Sequence, residues 1–122
     1  MFGTNPEKVG RKIDALVEEL IVIGERITEH EEQFEMAKRV GIARDGDDQT
    51  IQVWRRVQAQ LITGLSKAKE AMFRGDEDFR QINRILPMTK KQVREIAADI
   101  SAADRAAEVG RRLAQERFGG GS

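Results

Sequence analysis

The sequence predicts an all-α protein: an elongated bundle with a long N-terminal helix in an antiparallel hairpin, a short third helix and a long C-terminal helix. Three observations lead there. Charged residues make up 34% of the 122-residue chain, against roughly 25% in average proteins, which suits long helices with solvated outer faces. Apolar residues recur at alternating spacings of three and four over long stretches, the period of a helix face. Gly and Pro are sparse within those stretches and gather between them, so the breakers mark boundaries.

The first helix starts at Asn5-Pro6-Glu7. Asn caps the free amides, Pro suits the first helical position, and Glu meets the positive end of the dipole. Val9, Ile13, Leu16, Leu20, Ile23, Ile27, His30, Phe34 and Ala37 then form a heptad seam. Gly41 followed by Ile42 reads as a left-handed C-terminal cap. Such a helix is about 50 Å long at ~1.5 Å per residue. A compact chain of this size is only roughly 35 Å across, so the molecule must be elongated or the helix must project into a partner.

A short polar loop follows, and Asp47 or Asp48 is placed to cap the second helix, which runs to about Phe73 before Gly75. Its apolar line is Ile51, Trp54, Val57, Leu61, Leu65, Ala68 and Met72. A loop this short makes the two helices antiparallel neighbours. A hairpin centred on the loop pairs Ala37 with Trp54, Phe34 with Val57, His30 with Gln58, Ile27 with Leu65 and Leu20 with Met72. The third helix spans residues 76–86 and stops before Pro87. Thr89-Lys90-Lys91-Gln92 reads as a capping box that opens the last helix. That helix runs to about Arg117, with Val93, Ile96, Ile100, Ala103, Ala107 and Leu113 as its buried line. Seven alanines between Ala97 and Ala114 permit close approach of a sister helix or another chain. Residues 1–118 thus form a single helical domain, and 119–122 a flexible Gly-rich tail. Gly24, Gly64 and Gly110 interrupt helices, either as tolerated residues or as points of close crossing.

The absence of cysteine excludes disulfides and thiolate metal sites and fits a reducing compartment. The first residues carry no signal-peptide pattern. The longest apolar run, Leu20 to Ile23, is far short of a membrane span. A cytoplasmic protein, or a part of a particle assembled inside the cell, is expected. Residues 1–50 carry 7 basic and 12 acidic side chains, and residues 51–122 carry 14 and 9. Either the two halves pack with complementary surfaces or the basic half faces an acidic partner.

Candidate functional residues fall in three groups. His30 on the seam, opposite Gln58, is expected to be a polar layer that fixes register. Trp54 with Phe34 nearby is either core or an interface anchor, and Ala102, Ala103, Ala106 and Ala107 offer a close-packing face. Arg74, Arg80, Arg84, Lys90, Lys91 and Arg94 form the densest basic stretch, a possible patch for nucleic acid, although Asp76, Glu77 and Asp78 break it. No catalytic residue, metal site or cofactor is expected. The glutamates around His30 lack the paired Glu-x-x-His motif of a di-metal bundle. Asp45, Asp47 and Asp48 fail as a calcium loop, because Thr50 and Arg56 stand where Gly and Glu are required.

Lys12-Ile13-Asp14-Ala15-Leu16, Glu18-Glu19-Leu20-Ile21 and Met36-Ala37-Lys38 resemble the first helix of the helical chorismate mutases, over roughly residues 9–49. That resemblance implies an intertwined all-helical dimer whose site clamps a dicarboxylate substrate with arginines and a lysine. Lys38 matches the family lysine, and Asp45 and Gln49 fall near later polar positions. Gly10 and Ile27 stand where the family has arginines, with Arg11 and Arg26 one residue off, and Asp48 replaces a later arginine. A one-residue shift turns a helical side chain by about 100°.

The function expected is therefore that of a non-catalytic helical protein–protein interaction module. It would be a self-associating adaptor, connector or scaffold component of a larger assembly, viral ones included. A chorismate mutase-like enzyme and a nucleic-acid-binding protein are the alternatives.

Overall fold

A computed structural model describes residues 3–44 and 46–118. Asp45 and the Gly-rich tail at 119–122 lie outside the described residues. Among the described residues the fold is all-α, with three helices: α1 (Pro6–Arg39), α2 (Asp47–Arg74) and α3 (Phe79–Phe118). The accessible surface is 8976 Å², against roughly 6,600 Å² for a compact protein of 13.8 kDa, so the bundle is elongated.

The α1 boundaries follow the sequence signals. Asn5 Oδ1 accepts the Lys8 amide at 2.9 Å. At the far end Gly41 adopts φ +77°. The Gly41 amide donates to the Lys38 carbonyl and the Ile42 amide to Ala37. These are the two bonds of a left-handed helix stop that only Gly accommodates without strain. Between the caps, Val9, Ile13, Leu16, Leu20, Ile23 and Ile27 are buried. Beyond Ile27 the seam is only half covered.

α2 starts differently from the reading above. Its cap is Gly46 at φ +92°, with no side-chain capping bond. Asp47 and Asp48 sit in the first turn, where their charge meets the helix dipole. α2 runs antiparallel to α1, as Lys69 on Asp14 and Phe73 against Gly10 show. The register is not the expected one. Trp54 lies against His30 rather than Ala37, about two helical turns away. The chain reverses at Gly41, so α2 begins level with the last turns of α1 rather than beyond them. A seam that repeats every turn cannot distinguish these registers.

The expected break at Pro87 is absent: the two C-terminal helices are one, α3. Asp78 caps it, with Oδ1 accepting the Arg80 amide at 2.9 Å. Thr89 does not start a helix; its hydroxyl donates to the Ile85 carbonyl in mid-helix. Pro87 is exposed, so its ring points outward and removes a single backbone bond. Ile82 and Leu86 before it, and Val93, Ile96 and Ile100 after it, are buried along one face. Tertiary packing on both sides overrides the local helix penalty. α3 runs parallel to α1, with Asn83 beside Lys12 and Asp104 beside His30.

Gly24, Gly64 and Gly110, the helix glycines singled out in the sequence, separate into two kinds. A methyl group at Gly24 would stand 2.8 Å from Gln58 Nε2, which donates to the Leu20 carbonyl at 3.1 Å. Gly64 and Gly110 have nothing within 4 Å. Gly64→Ala is therefore expected to raise stability by up to about 1 kcal/mol through helix propensity. Gly24→Ala is expected to gain nothing, because it displaces Gln58. Urea midpoints of the two variants check this contrast.

Candidate functional site: an open end of the bundle

Burial is uneven along the bundle. Among the described side chains, the last fully buried one on α1 is Ile27, and on α3 it is Ile100. Above that level α3 presents mostly small or polar residues inward, and Ala103 and Ala107 are only half-buried. Alanine side chains do not reach across to α1 and α2. A cleft of about 320 Å³ opens there, between the end of α1, the start of α2 and the upper part of α3. Phe34, Ile51, Trp54, Ala103 and Ala107 supply its apolar lining, with Arg44, Asp47 and Arg111 among its polar residues. Leu113, expected in the buried line, is 59% exposed, because α3 runs on past the last turn of α1.

A polar layer forms the floor. His30 Nε2 lies 2.6 Å from Asp104 Oδ1, and Arg26 donates to Asp104 Oδ2 at 3.1 Å and to Ser101 Oγ at 2.9 Å. The His30 ring meets Trp54 edge-on, with centroids 5.2 Å apart. Thus His30 does not pair with Gln58 as expected. It forms a polar layer between α1 and α3, while Gln58 bonds the α1 backbone lower down. Arg55 ties α2 to Glu31 and Thr28 on α1.

Burial pushes the Asp104 carboxyl up, but hydrogen bonds and charge from Arg26 and His30 outweigh this and hold it below the ordinary value of 3.8. A depressed carboxylate stabilises the fold above its unfolded value, and this is lost as pH falls through the folded one. Asp104→Asn is accordingly expected to be less stable than the parent at neutral pH. The difference should shrink below pH 3.8, as denaturant midpoints across the acid range will register.

Of the residues singled out in the sequence, His30, Phe34, Trp54, Ala103 and Ala107 converge on this cleft. Ala102 and Ala106 are exposed on α3, along a second line with Val109 and Leu113, also exposed. The basic residues lie elsewhere. Arg74 pairs with Asp76, Arg80 stacks on Phe79, and Arg84, Lys91 and Arg94 are exposed on α3. Lys90 lines a separate groove of about 490 Å³ between α1 and α3 beside Pro87. Arg44, Asp47 and Arg111 were not legible as site residues, since only the reversed loop and the helix register bring them to the rim.

Lys38, which matches the chorismate mutase pattern, and Arg26 and Asp48, which depart from it, each have a neighbour within the bundle. Arg26 is taken up by Ser101 and Asp104, and Lys38 Nζ sits 5.5 Å from the centre of the Phe34 ring. Asp48 accepts from Gln52. No described helix is long and apolar enough to cross a membrane. No known protein family, curated protein or solved structure matches the chain.

Proposed function

We propose that this chain is a non-catalytic protein–protein interaction module, a self-associating adaptor or connector in a larger assembly built inside the cell. The observation that supports this best is the open end. Three helices there leave a cleft unfilled, and Phe34, Ala37, Ala103 and Ala107 stay half-buried along its wall, beside Trp54, which itself belongs to the core. The occupant proposed is an amphipathic helix of a neighbouring subunit in that assembly. One of its aliphatic side chains would fill the space between Phe34, Trp54 and Ala107 and complete the bundle as a fourth helix. The exposed stretch of α3 beyond Ala107 would lie alongside it, burying Val109 and Leu113.

Site-specific photocrosslinking in the native source tests this. A photoreactive residue in place of Ala107, inside the cleft, is expected to capture one discrete protein. The same residue in place of Thr63, on the exposed side of α2, is expected not to capture it. Equal capture at both positions, or none at Ala107, contradicts the reading.

A further inference from the structure

The charge imbalance between the two halves of the chain is only partly resolved inside the fold. Among the described residues, Asp14–Lys69, Glu31–Arg55 and Arg26–Asp104 are the Lys/Arg–carboxylate pairs that join different helices. Two rows of charge take no part in them. On α1, Glu18, Glu25, Glu29 and Glu32 are exposed and fall within an arc of roughly 60° at ~100° per residue, on the side away from the buried seam. On α3, Arg80, Arg84, Lys91 and Arg94 are likewise exposed, within roughly 80° of arc, opposite Ile82, Val93 and Ile100. None of these eight has an ion-pair partner among the described residues. Both rows face away from their own core, so they cannot neutralise each other within one molecule.

We infer that the acidic row of α1 docks on the basic row of α3 of a second copy, and that this is the contact through which the chain self-associates. The inference deepens, and rests on, the self-association part of the function proposed above. The spacings support it. Glu18, Glu29 and Glu32 repeat the intervals of Arg80, Lys91 and Arg94, so a parallel alignment brings three carboxylates level with three cations. The same alignment sets exposed Met36 opposite Ala98, an apolar contact at the end of the row. A lone helical charge row is most often a solvated face. Two rows of opposite sign, equal length and matching interval on one chain favour a mutual contact.

The geometry of the array follows. Within one copy α1 and α3 already run parallel, and residues 71–74 apart in sequence lie level. The intermolecular contact brings residues 62 apart level, as Glu18 with Arg80. Successive copies thus keep the same orientation and step along the helix axis by roughly 15 Å at ~1.5 Å per residue. The contact joins two different faces, and a constant axial step never returns to its start, so it propagates as a filament rather than closing a ring. Exposed ion pairs are individually weak and screened by salt, so association is expected at low ionic strength and lost at high.

A charge-swap experiment tests this by sedimentation velocity on the full chain. At about 0.02 M salt the weight-average mass is expected to rise with concentration beyond a dimer, and at about 0.5 M to return to that of a monomer. Glu29→Lys with Glu32→Lys, and separately Lys91→Glu with Arg94→Glu, are each expected to stay monomeric at low salt. All four positions are exposed, and circular dichroism will confirm that both variants remain helical. Mixing the two variants is expected to restore association, because each reversed row then meets its complement. A wild-type monomer at low salt, association of either variant alone, or failure of the mixture overturns the inference. So does a wild-type monomer that binds a short nucleic-acid duplex in a salt-dependent way lost in the α3 variant, which would make the basic row a nucleic-acid surface. Failure of the photocrosslinking at Ala107 with a successful charge swap would remove the cleft and leave this contact standing.

Discussion

Leu20→Ala is expected to lower stability by about 2–5 kcal/mol, the range for truncating a fully buried leucine. A domain of this size has only about 5–15 kcal/mol in total, so the variant is expected to be partly unfolded at modest temperature. Leu20 has no accessible surface and sits in the part of the bundle where all three helices close. Its carbonyl also takes the Gln58 amide, so a shift of the α1 backbone there would loosen the α1–α2 crossing as well. The fitting comparison is Leu113→Ala. That side chain is 59% exposed, and its removal is expected to change the stability of the isolated chain by less than about 0.5 kcal/mol. Urea denaturation followed by helical circular dichroism separates the two. Similar losses at both positions would mean that the core extends to the end of α3.

Pro87→Ala is the second large expected effect, and its sign is opposite. A proline inside a helix costs about 3 kcal/mol relative to alanine, through the missing amide and its clash with the preceding turn. Here Pro87 lies within α3 and is exposed, so little packing is lost with its ring. The substitution is expected to stabilise the protein by about 1–3 kcal/mol, the shortfall from the full penalty reflecting relaxation of the turn. A thermal midpoint unchanged or lowered by Pro87→Ala would mean that the chain is broken there, as sequence alone suggests.

The contrast at Pro87 shows where sequence reasoning reaches its limit in this protein. The N-terminal helix was legible because cap, seam and stop agree: Asn5 caps, Val9 to Ile27 are buried, and Gly41 turns left-handed. Helix class was legible from the apolar seam alone in α2 and in most of α3, where the expected caps and the stop at Pro87 did not hold. The join at Pro87 was not, because the proline's local preference is weaker than burial of Leu86 and Val93 on either side, and burial depends on what α1 presents. The register of α1 on α2 was not legible either. Heptad seams fit together at every second turn, and the reversal of the chain at Gly41 decides between them.

The candidate site was legible in part. Trp54 and Phe34 stand out as the large aromatics on the apolar lines, and Ala103 and Ala107 as small residues on a helix that otherwise needs bulk. Their convergence in one cleft depends on the register, which placed Trp54 beside His30 rather than Ala37. The partner of His30 was likewise hidden. Asp104 lies on the third helix, 74 residues away in sequence, and nothing local in the chain signals that pairing. The basic stretch was visible as composition, but its arrangement as an exposed row needed the unbroken α3. With a helix break at Pro87, Arg80 and Arg84 would not have shared a face with Lys91 and Arg94.

The proposed function requires a bundle closed below the His30–Asp104 layer and open above it. Hydrogen–deuterium exchange on the isolated chain at high salt measures this directly, because amide protection follows local opening. Amides of residues 13–27 and 82–100 are expected to exchange slowly and together, and those of residues 108–117 at rates close to an unprotected helix end. Protection that continues undiminished through Arg117 would contradict the open end, and with it the site from which a protein partner is inferred.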